Sequence, residues 1–250
     1  MTRQRLQKLI AAAGLCSRRH AEQWLLDGRV SVDGSPAQLG DQADPSSQII
    51  LVDGRRLAIA VQRRVLLLNK PIGVISSCHD PQGRTTVLEF LPRSHRQGLH
   101  PVGRLDADSR GALLLTDAGA LTLSLTHPRY DHAKTYRVWV RGRPKASVLE
   151  RWRHGIDLDG RMTRPAVVKR LTDQGSSSLL EIVLQEGRNR QIRRVAQILG
   201  HPVLDLQRTA IAHVQLGDLG EGCWRELREG EWQRLLDGGA SRSQPPRPCD

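Results

Sequence analysis

The chain has few aromatic side chains: five Trp, two Tyr and one Phe in 250 residues. A protein that grips single-stranded nucleic acid by stacking base after base needs a row of aromatic platforms. That class is excluded, and any nucleic acid held here is read through shape and phosphates with at most one or two stacking contacts. Cysteine is as sparse. Cys16, Cys78, Cys223 and Cys249 are scattered and form no C-x-x-C pair, which argues against a structural zinc site or a disulfide framework and points to a reducing, cytoplasmic compartment. His95 with His100 and His127 with His132 have a spacing that zinc fingers allow, but neither pair has the cysteines such a site needs. There is no apolar run of membrane-spanning length and no lipidation motif. Arg3, Arg5 and Lys8 are not followed by the apolar segment and cleavage site of a secretory signal, so no membrane partner is expected. Acidic residues are the minority. Lys and Arg number 38 against 26 Asp and Glu, a net charge of +12, and a pI near 10.6 calls for a polyanionic partner, nucleic acid above all.

Residues 1–61 read as a separate small module. Leu6, Leu9, Ile10 and Ala13 recur at helical spacing before Gly14. Ser17 can cap a second helix that buries Ala21, Trp24 and Leu25 and stops at Gly28. Val30-Ser31-Val32 then meets Asp33-Gly34, and Ile49 to Val52 meets Asp53-Gly54, each a hairpin signal. Only +2 of the charge lies in this module, so the remaining +10 belongs to the rest of the chain. Strand-like runs at Val65–Leu68, Ala112–Leu115, Tyr136–Val140 and Leu179–Leu184 alternate with helix-like stretches near Ala118–Leu125, Ala146–His154 and Arg190–Leu199. Without a βαβ repeat or a phosphate-binding glycine loop, residues 62–237 read as an α+β domain on a mixed, mainly antiparallel sheet flanked by helices. Residues 238–250, rich in Gly and Pro, have nothing to bury and are expected to be a disordered tail.

The most informative stretch is Gly103-Arg104-Leu105-Asp106-Ala107-Asp108-Ser109-Arg110-Gly111, directly before the apolar run Ala112-Leu113-Leu114-Leu115. A carboxylate projected from a short turn beside a buried strand is held where it can do chemistry. Three further segments stand out. These are Asn69-Lys70-Pro71-Ile72-Gly73-Val74, His127-Pro128 with Lys134-Thr135-Tyr136, and Glu186 to Arg194 (EGRNRQIRR) with Leu206-x-Arg208 behind it.

These four segments, in this order, resemble the ribosomal RNA pseudouridine synthases of the RsuA/RluB family, and the small module resembles their S-four-type RNA-binding domain through Arg3, Leu6, Gly14, Ser17, Arg18, Ala21, Gly28, Val30, Val32 and Gly34. The resemblance implies isomerisation of uridine to pseudouridine in ribosomal RNA or a ribosomal assembly intermediate by a monomer. No atom is gained or lost in that reaction, so no cofactor and no metal is expected. It makes Asp106 the single catalytic carboxylate, acting as nucleophile or as base at the sugar. Tyr136 would lie against the flipped base, and Leu206 would line the pocket floor. Arg193 would stand beside Asp106 and keep it ionised. Arg104 would fill the space the base vacates or hold its phosphate, and Lys134 would also bind substrate. Arg3, Lys8, Arg18 and Arg19 on the small module and Arg188, Arg190 and Arg194 on the large one would bind RNA. The Asp80-Pro81-Gln82-Gly83-Arg84 region leans toward the large-subunit branch.

Two other readings stay open on the residues alone. A noncatalytic RNA-binding assembly factor could use the same basic surface, though it has no need of an arginine-paired carboxylate in a cleft. A metal-dependent nuclease could use Asp106 with Asp108, though no further ligand is suitably spaced. Thr116-Asp117-Ala118-Gly119 and Ala212 depart from the family's commoner Asn-Asp-Gly and Gly, which bears on loop shape and substrate fit. The composition generates one expectation about binding: RNA affinity falls steeply with salt, by a log–log slope of about −0.7 per phosphate engaged on a single strand. A filter-binding titration across salt concentrations checks it, and a flat plot would remove the electrostatic part of this reading.

Overall fold

A computed structural model describes residues 3–58, 63–127 and 130–236. The expected domain boundary at 61/62 and the expected tail at 238–250 lie outside the described residues. In the small domain, strand β1 (Gln4–Arg5) leads into helix α1 (Leu6–Ala12). Ser17 caps helix α2 (Arg18–Leu26) by accepting a bond from the His20 amide at 3.2 Å. Strands β2 (Val30–Val32) and β3 (Ser35–Pro36) form a hairpin; β4 (Gln42–Ala43) pairs with β1, and β5 (Ile50–Val52) with β6 (Arg55–Arg56) forms a second hairpin. Both turns are Asp-Gly with positive φ at each residue, Asp33 and Gly34, then Asp53 and Gly54, the backbone that suits tight hairpins. Leu6, Leu9, Ile10, Ala21, Leu25 and Val30 close the core between the helices and this sheet.

The large domain is one sheet. Its strands are β7 (Val65–Lys70), β8 (His100–Pro101), β9 (Arg110–Thr116), β10 (Lys134–Arg141), β11 (Val167–Gln174), β12 (Ser177–Leu184), β13 (Val203–Ile211), β14 (Val214–Gln215) and β15 (Trp224–Glu226). Helices α3 (Arg93–Arg96), α4 (Gly119–Thr126), α5 (Ala146–His154), α6 (Gln191–Ile198) and α7 (Glu229–Leu236) flank it. No described helix is long and apolar enough to cross a membrane. The strand order is β11-β12-β10-β13-β9-β7-β15. Every pairing is antiparallel except β9 with β13, which touch in parallel through two residue pairs, Gln207 with Arg110 and Arg208 with Gly111. Two antiparallel halves are thus joined by one short parallel seam. β7 is buried along its whole length and β9 over all but its first residue, as expected of central strands covered on both faces. On α6, Ile192, Val195 and Ala196 are buried against the β10–β12–β13 half.

The α+β expectation holds, and α5 spans the expected residues. The sequence pattern leaves out β11 and β13. β11 is an edge strand with a single buried residue, Val168, so it carries no apolar alternation to detect. In β13 an arginine, Arg208, takes an inward position between Leu206 and Ala210, which breaks the apolar signal of a central strand. Gly111 makes the seam. It adopts φ +108°, and a Cβ there would stand 2.2 Å from the carbonyl oxygen of Arg208 and 2.7 Å from its amide nitrogen. Gly111→Ala is therefore expected to cost about 3 kcal/mol or more, read as a lowered urea midpoint; a variant as stable as the parent would show that the seam relaxes freely.

Candidate active site

The turn bearing Asp106 is anchored on both sides. Before it, Ser76 Oγ donates to the Leu105 carbonyl at 2.8 Å and accepts from the Leu105 amide at 3.1 Å, while the Leu105 side chain is buried beneath. After it, the Gly73 amide donates to the Ala107 carbonyl at 2.7 Å, and the Ser109 amide closes the turn onto the Asp106 carbonyl at 3.1 Å. Lys70, wholly buried at the end of β7, donates from Nζ to the carbonyls of Ser109 and Pro71, each at 2.8 Å. The Lys-Pro-x-Gly segment is therefore the clamp under the Asp106 turn. Burial pushes the Lys70 amine down to about 8, against the pull of Asp106, Asp108 and Glu221, with Arg208 adding to the depression.

Asp106 projects, about one-third exposed, into a cleft of about 790 Å³. β10 and β13 form one wall, carrying Tyr136, Lys134, Leu206 and Arg208. A register shift between Thr135 and Tyr136 in the β10–β13 pairing sits where Tyr136 enters the cleft. Leu206 is buried and lines the same cleft. Arg104 is exposed on the same cleft. Burial lowers the Lys134 amine from its ordinary value, helped by Arg208 and opposed by Asp131.

The arginine beside Asp106 is not the expected one. Arg193 donates from Nη2 to the Asp108 carbonyl at 2.6 Å and to Ser109 Oγ at 3.1 Å, and its Nε stands 3.3 Å from an Asp108 carboxylate oxygen. Arg190, expected only to bind RNA, has Nη1 3.6 Å from Asp106 Oδ2 and Nη2 2.7 Å from Asp108 Oδ2. The reason is local. Arg190 precedes α6 with left-handed backbone, φ 48° and ψ 32°, which turns its side chain toward the Asp106 turn. Asp108 is thus a hub for both arginines. Partial burial pushes its carboxyl up, but the bond from Arg190 and the charges of Arg193 and Arg190 outweigh that and hold it below its ordinary value.

The remaining expected RNA contacts are spread out, and several have partners within the protein. Arg188 reaches back to the carbonyls of Arg161 and Met162, and Arg194 pairs with Asp159 at 2.5 Å. Both tie the segment after α5 to α6. On the small domain Arg3 donates to the Gln42 carbonyl, and Lys8, Arg18 and Arg19 are exposed. Arg18 also leans on the large domain, 3.6 Å from where a Cβ of Gly119 would stand. Sequence reasoning gave no role to Ser76 or the Arg208 side chain, and considered Asp108 only as a metal ligand beside Asp106. The motifs of Asp108 and Arg208 were visible, but nothing in a motif says which side chain supports the turn and which faces the cleft.

A small basic domain with a helix pair, joined to a mixed sheet that presents one carboxylate in a cation-lined cleft, defines an RNA-modifying enzyme. The chain belongs to the RNA pseudouridylate synthase family, whose profile matches residues 64–197, while the S4 domain profile matches residues 4–49. It is 40% identical over 238 residues to the ribosomal large subunit pseudouridine synthase B of Bacillus subtilis (strain 168), covering 93% of this chain and 95% of that one. To the dual-specificity RNA pseudouridine synthase RluF of Salmonella typhi it is 32% identical, covering 98% of this chain and 83% of that one. Among solved structures, a crystal structure of a pseudouridylate synthase shares 30% identity at a TM-score of 0.68, covering 92% of this chain and 99% of that chain.

The Lys70 clamp sets a pH dependence. Its proton is held less tightly in the folded chain than in the unfolded one, so below pH 8 both states are protonated and the burial penalty is constant. Between pH 8 and the ordinary lysine value near 10.4 the unfolded state binds more protons, and stability rises with pH. The unfolding free energy of the parent relative to Lys70→Met is expected to rise by about 1–3 kcal/mol over that window. Chemical denaturation at several pH values measures it, and a constant difference would show that Lys70 is not desolvated.

Proposed function

We propose that this chain converts a specific uridine of ribosomal RNA, in the large subunit, to pseudouridine, with Asp106 as the catalytic carboxylate and no cofactor. The observation that carries the reading is Asp106 itself: a carboxylate on a doubly anchored turn, facing a cleft that also holds an aromatic ring and several cations. The family membership supports the reaction, and the name of the Bacillus subtilis relative supports the subunit. The acceptor is free ribosomal RNA or an assembly intermediate in the cytoplasm, and the enzyme acts as a monomer.

Isomerisation breaks the N1–C1′ bond, turns the base and joins C5 to C1′. The pair from the broken bond stays on the pyrimidine; C5 then attacks C1′, loses its proton, and N1 ends protonated. Asp106 acts at the sugar, as nucleophile at C1′ or as base. The target base must first leave its stack, and Tyr136 gives it one face to lie on. Arg190 and Arg193, organised by Asp108, set the electrostatics around Asp106 and meet the phosphates at the mouth of the cleft. Arg104, Lys134 and Leu206 complete the substrate contacts. Arg3, Lys8, Arg18, Arg19, Arg188 and Arg194 extend the basic surface along the RNA.

Asp106→Asn is expected to abolish release of label from C5 of uridine in ribosomal RNA fragments while RNA affinity stays within a few-fold, since the amide is nearly isosteric but is neither nucleophile nor base. Asp108→Asn is expected to lose about tenfold in rate, because each arginine keeps its other partners. Normal turnover by Asp106→Asn would overturn the assignment. In cells lacking the gene, one pseudouridine should vanish from large-subunit RNA. Loss from small-subunit RNA would overturn the subunit and leave the reaction standing.

A further inference from the structure

The cleft that Asp106 faces is lined by a second buried cation, Arg208. Arg208 is only 5% exposed. Its Nε donates to the Ala112 carbonyl at 2.7 Å across the β9–β13 seam, which fixes the guanidinium in place. Its Nη2 is buried and has no acceptor among the described residues. A guanidinium with a buried donor left without an acceptor is costly, and Arg208 nonetheless lines the cleft, where a substrate atom can meet the part of the group that faces it. Lys134, close enough for each charge to act on the other, lines the same wall and is largely desolvated. In the β10–β13 register Arg208 stands opposite Tyr136, the ring assigned to the base.

We propose that Arg208, supported by Lys134, binds a carbonyl oxygen of the target pyrimidine and stabilises the negative charge that builds there when the N1–C1′ bond breaks. This rests on the reading of the cleft as a uridine-isomerising site. The chemistry requires such a group. As the bond breaks, its electron pair moves onto N1 and is shared with the ring carbonyls, so an anionic base forms while Asp106 gives up its own charge, to an ester bond at C1′ or to a proton. The negative charge thus passes from the carboxylate to the base, and preorganised cationic donors at the base stabilise it where it develops. When C5 has bonded to C1′ and released its proton, and N1 has gained one, the ring is neutral again and the contact weakens. The Arg208 contact is thus strongest between cleavage and rejoining.

The test compares the parent with Arg208→Lys on short RNAs carrying uridine, 2-thiouridine or 4-thiouridine at the target. Sulfur is the poorer acceptor, so in the parent one of the two thio substrates is expected to be slowed about tenfold. In Arg208→Lys, kcat on uridine is expected to fall about 100-fold with KM within about threefold, and the sulfur penalty to disappear. A folded Arg208→Lys protein with unchanged kcat overturns the proposal. So does one whose kcat falls equally on all substrates with the sulfur penalty intact, since that marks a purely structural role at the seam. If Arg208→Lys does not fold, Lys134→Met carries the same comparison, with a kcat loss of about tenfold and a reduced sulfur penalty expected, and an unchanged kcat or penalty overturning the proposal. A parent that does not isomerise uridine at all would instead sink the assigned reaction.

Discussion

Two residue pairs hold the working parts of this enzyme in relation to one another. The parallel contact of Gln207 with Arg110 and Arg208 with Gly111 joins an antiparallel half that carries Asp106 to one that carries Tyr136, Lys134 and Leu206. Gly111 lets the backbones approach more closely than any side chain would permit. The Arg208 side chain then crosses the same seam to the Ala112 carbonyl, and two residues earlier on β9's approach the Ser109 carbonyl receives Lys70. Backbone contact, buried cation and catalytic turn lie within a few residues of each other. A shift of the seam would move Asp106 away from the β10–β13 wall of the cleft, and misplacement of active-site groups on the ångström scale is enough to cost orders of magnitude in rate.

The same region places two cationic side chains, Lys70 and Arg208, out of water. Burying charge costs stability unless the charge is well bonded. Lys70 is bonded to two carbonyls and Arg208 through Nε alone among its described buried donors. Stability is given up here for a rigid positive floor, a common arrangement where a site must be organised before its substrate arrives.

Much of this was legible in the sequence because much of it is local. Asp-Gly turns force hairpins, Ser17 caps α2, and the apolar run after Gly111 makes a buried strand whatever surrounds it. Asp106 could be singled out because its turn and its strand are contiguous. What was not legible depends on partners distant in sequence. β13 is central, yet its inward arginine looks polar until Ala112 appears beside it, and β11 is an edge whose signal is nearly all solvent. The exchange between Arg190 and Arg193 was hidden for a local reason instead. Three residues apart at the start of a helix, both side chains can face the turn, and only the left-handed backbone at Arg190 decides which one reaches Asp106.

The arginines around the cleft are not a bare positive surface. Arg190 and Arg193 hold Asp108, Arg194 holds Asp159 and Arg164 holds Asp131. A phosphate that meets any of these guanidiniums shares it with a carboxylate or displaces one, so each such contact gains less than a bare arginine would give. An RNA that can reach only one or two of them has almost no advantage over none. One whose contour meets several together collects all the small gains at once. Internal ion pairs thereby act as a threshold: a chain this basic need not cling to every polyanion it encounters, and discriminates by the shape of the strand rather than by its charge.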